Sequence, residues 1–292
     1  MTRALAVLLV FASFGCERVE WLGKETGGPP LAPEIPRRVD ELSDPSARDT
    51  DPTLTADLCE LFFMSDRLGS KDLWTSRRDA PDEPWGEPEP VESVNSDVVD
   101  ENPHVSNDGL RLWFYTDRDR GQGTIWLATR DTVEDAWATP VPVPELGIGT
   151  DRSNVAVGVA ENETLLVLNS LPPGGTGYEL YLQERGSVDD PFGEPIHIAE
   201  VGSPRDDFDP ELRANGLLLA FHSMRLGSAD IFRSTRESVA DAFGGVEQVE
   251  SLNSPYEDGA PAISLSFAYV LFSSDREGTD DIFEAHWPDA AP

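Results

Sequence analysis

Read for hydrophobic and polar positions, the chain repeats itself. "LFFMSDRLGSKDLW" from Leu61 returns as "LWFYTDRDRGQGTIW" from Leu112, "LAFHSMRLGSADIF" from Leu219 and "VLFSSDREGTDDIF" from Val270. Aligned without gaps, the copies place Pro at 52, 103, 210 and 261, then an aliphatic at Leu54, Val105, Leu212 and Ile263. A turn follows, clearest in Asp108-Gly109 and Asn215-Gly216, and then an alternating run. Its inward residues are Leu61 and Phe63, Leu112 and Phe114, Leu219 and Phe221, and Val270 and Phe272. Asp-Gly between alternating apolar runs predicts a β-hairpin.

A worn fifth copy, "AVGVAENETLLVLNS" from Ala156, keeps Val159, Leu166 and Leu168 but loses the Pro and the Asp-Arg pair. Repeats start at 51, 102, 156, 209 and 260. A period of that length marks a repeat architecture, and four strands per unit suit a propeller blade. The third strand of each unit carries adjacent apolar residues: Leu73-Trp74, Ile125-Trp126, Leu180-Tyr181, Ile231-Phe232 and Ile282-Phe283. Both faces of the sheet must then be covered, as in a blade between two neighbours. Aromatics follow an Arg in four units: Trp85 after Arg78, Trp137 after Arg130, Phe192 after Arg185 and Phe243 after Arg236. A short fourth strand comes next in each.

The last unit ends at Trp287 without that fourth strand, while "PEIPRRVDELSDP" from Pro33 matches it with Pro36, Val39 and Leu42 in register. The expected fold is therefore all-β: a five-bladed propeller of four-stranded antiparallel blades, its last blade completed by the N-terminal strand, which removes an exposed edge. The propeller spans 34–287, with a short tail at 288–292.

The Pro, the Asp-Gly turn, the Phe-x-Ser-Asp-Arg segment, the Gly and the Asp-Ile-aromatic together resemble the TolB-type, WD-repeat-like propeller repeat over about 51 to 287. That resemblance implies a cell-envelope protein that binds other proteins without catalysis. The six blades and extra N-terminal domain of TolB itself have no counterpart here.

Charge narrows the partners. Fifty-five acidic against 22 basic residues leave a net charge of −33, which argues against nucleic acid, whose phosphates demand Lys and Arg. The start, "MTRALAVLLVFASFGC", has one cation, an apolar run too short to span a bilayer, and Gly15-Cys16. It reads as a signal peptide over 1–15, and Gly15-Cys16 resembles a bacterial lipobox, which implies lipidation at Cys16; an ordinary secretory signal is the alternative. Residues 16–33 read as a flexible tether. The chain is expected as a monomer touching the membrane only through that anchor. With two cysteines a disulfide framework is excluded, and Cys59 reads as a buried, unpartnered small hydrophobe.

Candidate chemistry lies in two recurring sets. Asp66, Asp117 and Asp275 with Arg67, Arg118, Arg225 and Arg276 fall at the turn between second and third strands. There they predict turn stapling, since short acids bond their own backbone and Arg shares the charge. Two residues before each repeat start stand Asp49, Asp100, Asn154, Asp207 and Asp258. If first strands line the channel, these form an acidic ring at its mouth, suited to Ca2+ or Mg2+ or to a basic side chain of a partner; the structural alternative is local capping. No cofactor is otherwise implied. His104, His197, His222 and His286 share no metal-ligand spacing, "PPGGTG" from Pro172 lacks the Lys and helix of a phosphate loop, and there is no GxSxG. The function expected is a binding or scaffold propeller for an envelope protein, or second for a cell-wall polysaccharide. The enzymatic alternative is a glycoside hydrolase, which needs two carboxylates at fixed separation.

Overall fold

A computed structural model describes residues 33–119, 123–146, 154–172 and 174–288. The expectations for the leader, Cys16 and most of the tether lie outside the described residues.

The first strand, β1 (Arg37–Arg38), waits for the end of the chain. Blade I is β2 (Asp49–Leu54), β3 (Glu60–Ser65), β4 (Asp72–Arg77) and β5 (Glu89–Pro90). Blade II is β6 (Asp100–Val105), β7 (Arg111–Thr116), β8 (Thr124–Thr129) and β9 (Val141–Pro142). Blade III, from the worn copy, is β10 (Asn154–Val159), β11 (Leu165–Ser170), β12 (Glu179–Glu184) and β13 (Ile196–His197). Blade IV is β14 (Asp207–Arg213), β15 (Leu218–Ser223), β16 (Asp230–Thr235) and β17 (Glu247–Gln248). Blade V has β18 (Asp258–Ile263), β19 (Val270–Ser274) and β20 (Asp281–Ala285), and takes β1 as its outer strand. The inner strands β2, β6, β10, β14 and β18 each contact the next, and β18 contacts β2, so the ring is closed.

Closure is register-true. Arg37 pairs with Glu284 and Arg38 with Phe283, and Val39 N donates to Ile282 O at 2.9 Å. The same bond joins Val91 to Leu73, Val143 to Ile125, Ile198 to Leu180 and Val249 to Ile231 in the other blades. A segment some 240 residues away in sequence thus repeats the local geometry of a covalently continuous fourth strand.

Adjacent apolar residues on one strand point to opposite faces, so each feeds a different core. Leu73 packs with Val105, Leu112 and Phe114 between blades I and II. Its neighbour Trp74 packs with Tyr269, Leu271 and Ile282 between blades V and I. Phe62 and Phe63 divide in the same way. Five such clusters, one per interface, leave no blade able to bury its surfaces alone. At roughly 1.5–3 kcal/mol per buried large apolar side chain, the interfaces rather than the sheets hold the ring together.

Two local devices recur, the first in all five blades and the second in four. The hairpin after the inner strand turns through a left-handed residue at the same repeat position: Leu58, Gly109, Glu163, Gly216 and Phe267, with φ between 55° and 90°. Gly adopts that conformation freely, whereas the side chains elsewhere cost about 1–2 kcal/mol each, offset by packing such as that of Phe267 in its core. The Arg seen before each outer aromatic stacks on it, Arg78 over Trp85 at 4.0 Å and Arg130 over Trp137 at 4.2 Å, with Nε donating to Leu58 O and Gly109 O. Cys59 is buried directly before β3, but it is not the lone thiol expected from sequence.

Candidate functional site at the channel mouth

Asp49, Asp100, Asp207 and Asp258 open the inner strands of four blades, and all four are fully buried. They do not offer free carboxylates to a common axis. Asp100 Oδ1 accepts from Arg118 Nη2 at 2.5 Å, and its Oδ2 accepts from Ser96 N and Oγ at 2.6 and 2.8 Å. Arg118 Nη2 also donates to Val94 O at 2.7 Å, in the link from the preceding blade, and the guanidinium lies over Phe114 and Trp126. Asp49 with Arg67, Asp207 with Arg225 and Asp258 with Arg276 repeat this, reaching Leu42 O, Val201 O and Leu252 O. The two sets of residues picked out separately in the sequence are therefore halves of one device, a staple that ties each 2–3 turn to the link between blades. For Asp49, burial raises the carboxyl above the usual range, against bonds from Ser65, Arg67 and Asp44. Asp66 Oδ1 and Asp275 Oδ1 cap the same links, accepting from Arg48 N and Glu257 N at 2.9 Å each. Asp117 Oδ1 is buried without a partner. Asn154 pairs through its backbone with Ser170; its side chain lies outside the described residues. Among the described residues no group of three or more His, Cys, Asp and Glu is arranged to hold a metal ion.

The residues that do line the axis are two positions further on. A cleft of about 30 Å³ is walled by Asp51, Asn102, Ala156, Asp209, Ala260 and the residues that follow each. In all five blades the inner strand bulges here, between Thr50 and Thr53, Glu101 and His104, Asn154 and Val157, Phe208 and Glu211, and Gly259 and Ala262. Asp51, Asn102, Asp209 and Ala260 sit at φ 56°, 53°, 44° and 47°, each directly before a proline. Asp and Asn tolerate this left-handed region better than other side chains, and bulges commonly re-aim side chains beside functional sites. The signal was present in the sequence as Asp-Pro, Asn-Pro and Asp-Pro at three repeat starts. The backbones crowd at the axis: a side chain at Gly158 would meet Pro210 O at 2.1 Å.

Asn102 Nδ2 donates to Asp209 Oδ1 at 3.0 Å, and His222 Nδ1 forms an ion pair with Asp209 Oδ2 at 3.0 Å. Burial draws the His222 imidazole down, but Asp209, Asp51 and Glu257 outweigh it and its pKa is raised. Asp51 accepts from Thr50 Oγ1 at 2.9 Å, and burial, Asp209 and Glu101 together push its carboxyl up to about 7. Lys71 Nζ pairs with Glu101 at 2.5 Å. Tyr178, Phe208 and His222 form an aromatic row, with ring centroids 4.8 and 5.0 Å apart and planes tilted by 42° and 44°. The remaining histidines stand apart: His197 is half-exposed beside Glu179, and His286 donates its backbone N–H to Pro33 O.

No protein-family model matches the chain, and no curated protein matches it. Solved structures do. A protein described as TolB from Agrobacterium tumefaciens is 16% identical over 82% of this chain and 76% of its own, with a TM-score of 0.54. The catalytic domain of a GH62 α-L-arabinofuranosidase from Coprinopsis cinerea is 13% identical over 89% and 96%, with a TM-score of 0.60. An α-L-arabinofuranosidase from Podospora anserina, solved in complex with cellotriose, is 11% identical over the same shares, with a TM-score of 0.61. At these identities the likeness is one of fold: the chain is a five-bladed β-propeller similar in architecture to both TolB and glycoside hydrolase structures.

Proposed function

We propose that the chain is a non-catalytic binding propeller of the bacterial cell envelope, and that it presents the channel mouth to a macromolecular ligand. One observation carries this reading. The recurring acids are consumed in staples, whereas the mouth is where the copies stop repeating. At the position of Phe208 the other blades have Thr50, Glu101, Val155 and Gly259; at that of His222 they have Met64, Tyr115, Asn169 and Ser273. Recurring residues staple four of the blades, and the unlike residues at the mouth suit a ligand without fivefold symmetry. The fold likeness to TolB supports the envelope setting. The partner is an envelope protein, which the repeat resemblance favours, or a cell-wall polysaccharide, which the mouth chemistry favours.

Capture from an envelope extract tests the surface. The double variant Tyr178→Ala/Phe208→Ala is expected to lose the captured component, while Val239→Ser, on an exposed 3–4 turn at the opposite face, retains it. Equal capture by both would remove the mouth from the reading.

Export and anchoring belong to the same proposal. The mature protein is expected to begin at Cys16 and to carry the added mass of acyl chains; a lipid thioether there and a disulfide to Cys59, the one other cysteine, are mutually exclusive. An intact-mass measurement with and without reductant reads this directly, and an unacylated N-terminus would replace the anchor with secretion. No helix of the described residues is long and apolar enough to cross a membrane.

A second reading, a glycoside hydrolase, is favoured by Asp51, since a carboxyl that titrates near neutrality suits acid–base work. The likeness to arabinofuranosidases supports the same reading, and release of sugar from the captured glycan fraction distinguishes it from binding.

A further inference from the structure

Beside the mouth, the channel holds a donor and an acceptor that nothing uses. His104 and Glu211 come from the inner strands of blades II and IV, are 4% and 5% exposed, and both line the axial cleft. His104 Nδ1 lies 3.7 Å from Glu211 Oε2, beyond hydrogen-bond range. His104 Nε2 accepts from Val159 N at 3.2 Å, which leaves the ring proton on Nδ1. Burial and Arg213 push His104 down to about 3, so the ring is neutral and offers a single N–H. Glu211 Oε1 is occupied by Arg213 at 2.5 Å and by Ile263 N at 3.2 Å, while Oε2 faces the gap. A space of about 30 Å³ admits a water or one hydroxyl group and little more.

A buried amide bonded to the channel wall is half-satisfied. Asn169 is fully buried, and its Oδ1 accepts from the N–H of Ala156, a residue of the channel wall, while its Nδ2 has no partner. Charge then narrows the ligand. An anion would meet Asp51, Glu101, Asp209 and Glu211. A cation passing the rim would meet the His104 N–H and the Arg213 guanidinium. A hydroxyl both donates and accepts, which the facing pair requires, and the half-exposed, mutually tilted rings of Tyr178 and Phe208 offer apolar surface to the ring that carries it.

The geometry points to a binding site for a neutral sugar residue, its ring against Phe208 and Tyr178, one hydroxyl on Asp51 and one directed between His104 and Glu211. This rests on the reading of the chain as a binding propeller and names its ligand class. His104 and Glu211 occupy one repeat position in two blades, where the other blades have Thr53, Gly158 and Ala262; Thr53 Oγ1 accepts the same bond from the next blade, leaving no free ring N–H or second carboxyl oxygen there.

Titration calorimetry of the purified protein tests the site with cellotriose and xylotriose, beside a lysine-rich peptide as a cationic probe. At least one trisaccharide is expected to bind with a Kd of about 1 mM or tighter. Phe208→Ala and Asp51→Asn, both melting cooperatively, should each weaken it by about tenfold, a change of roughly 1.4 kcal/mol. No heat from either sugar up to about 10 mM, binding of the peptide alone, or sugar binding untouched by both variants overturns the assignment. If the sugars fail while envelope capture still depends on Tyr178 and Phe208, the glycan assignment falls and the binding reading stands.

Discussion

Arg118→Ala is expected to lower the unfolding free energy by about 3–5 kcal/mol, because it leaves the fully buried Asp100 without its cation. The same change removes the bond to Val94 O that ties blade II to the link from blade I, and the stacking on Phe114 and Trp126. For a chain of this size the melting temperature should fall by roughly 10 °C. Arg118→Lys should recover part of the loss, keeping the charge without the fork that reaches Asp100 and Val94 together. Asp100→Asn/Arg118→Met should lose less than the two single changes added, since removing both partners leaves no orphaned charge. Urea and thermal unfolding of the four proteins complete the cycle. A loss under about 1 kcal/mol for Arg118→Ala would show that the staple is not what holds adjoining blades in register.

Asp51→Asn is expected to have the opposite sign. Asp51 has a carboxyl raised from 3.8 to about 7 by burial, Asp209 and Glu101, so the folded protein resists ionising it. Below about pH 4 both folded and unfolded chains carry the proton and the group costs nothing. As pH rises from there to about 7 the unfolded chain ionises first and stability falls; above 7 the full cost is present. At about 1.4 kcal/mol per unit the ceiling is near 4 kcal/mol, and partial exposure with coupling to Asp209 brings the expected gain to roughly 1–3 kcal/mol at pH 8. Asn also suits φ 56°, and Asn102 holds the equivalent place in blade II. Melting curves of variant and parent from pH 4 to pH 8 should diverge as pH rises. Curves that run parallel, or a variant less stable at pH 8, would show that the mouth is not under electrostatic strain. The difference measurement matters because Glu211, raised to about 7 by burial, and His104, lowered to about 3, add slopes of opposite sign common to both proteins.

Much of this was legible in advance at particular residues. The paired apolar residues Leu73 and Trp74 announce two buried faces, and Val39 and Leu42 announce the closing strand before any contact is known. Asp100 and Arg118 were visible too, but as members of two separate sets. They are 18 residues apart, and only the return of β7 beside β6 brings them together. The ring of free carboxylates expected at 49, 100, 207 and 258 misplaced the axis by two residues, because an inner-strand bulge turns the next residues inward. Leu58, Glu163 and Phe267 conceal the turn that Gly109 and Gly216 display, since packing compensates for the left-handed strain.

By itself the sequence determined the unit, the number of units and the way the ring closes. These depend on short-range alternation and on a segment that copies a fourth strand, both of which are local properties of the chain. The tertiary structure decided which side chains meet at the centre. Asn102 with Asp209 and His104 with Glu211 are each separated by 107 residues, and they become neighbours only because five inner strands converge on one axis. Convergence of that kind leaves no periodic mark, and it is at the channel, where unlike residues of different blades face one another, that the molecule ceases to be a repeat.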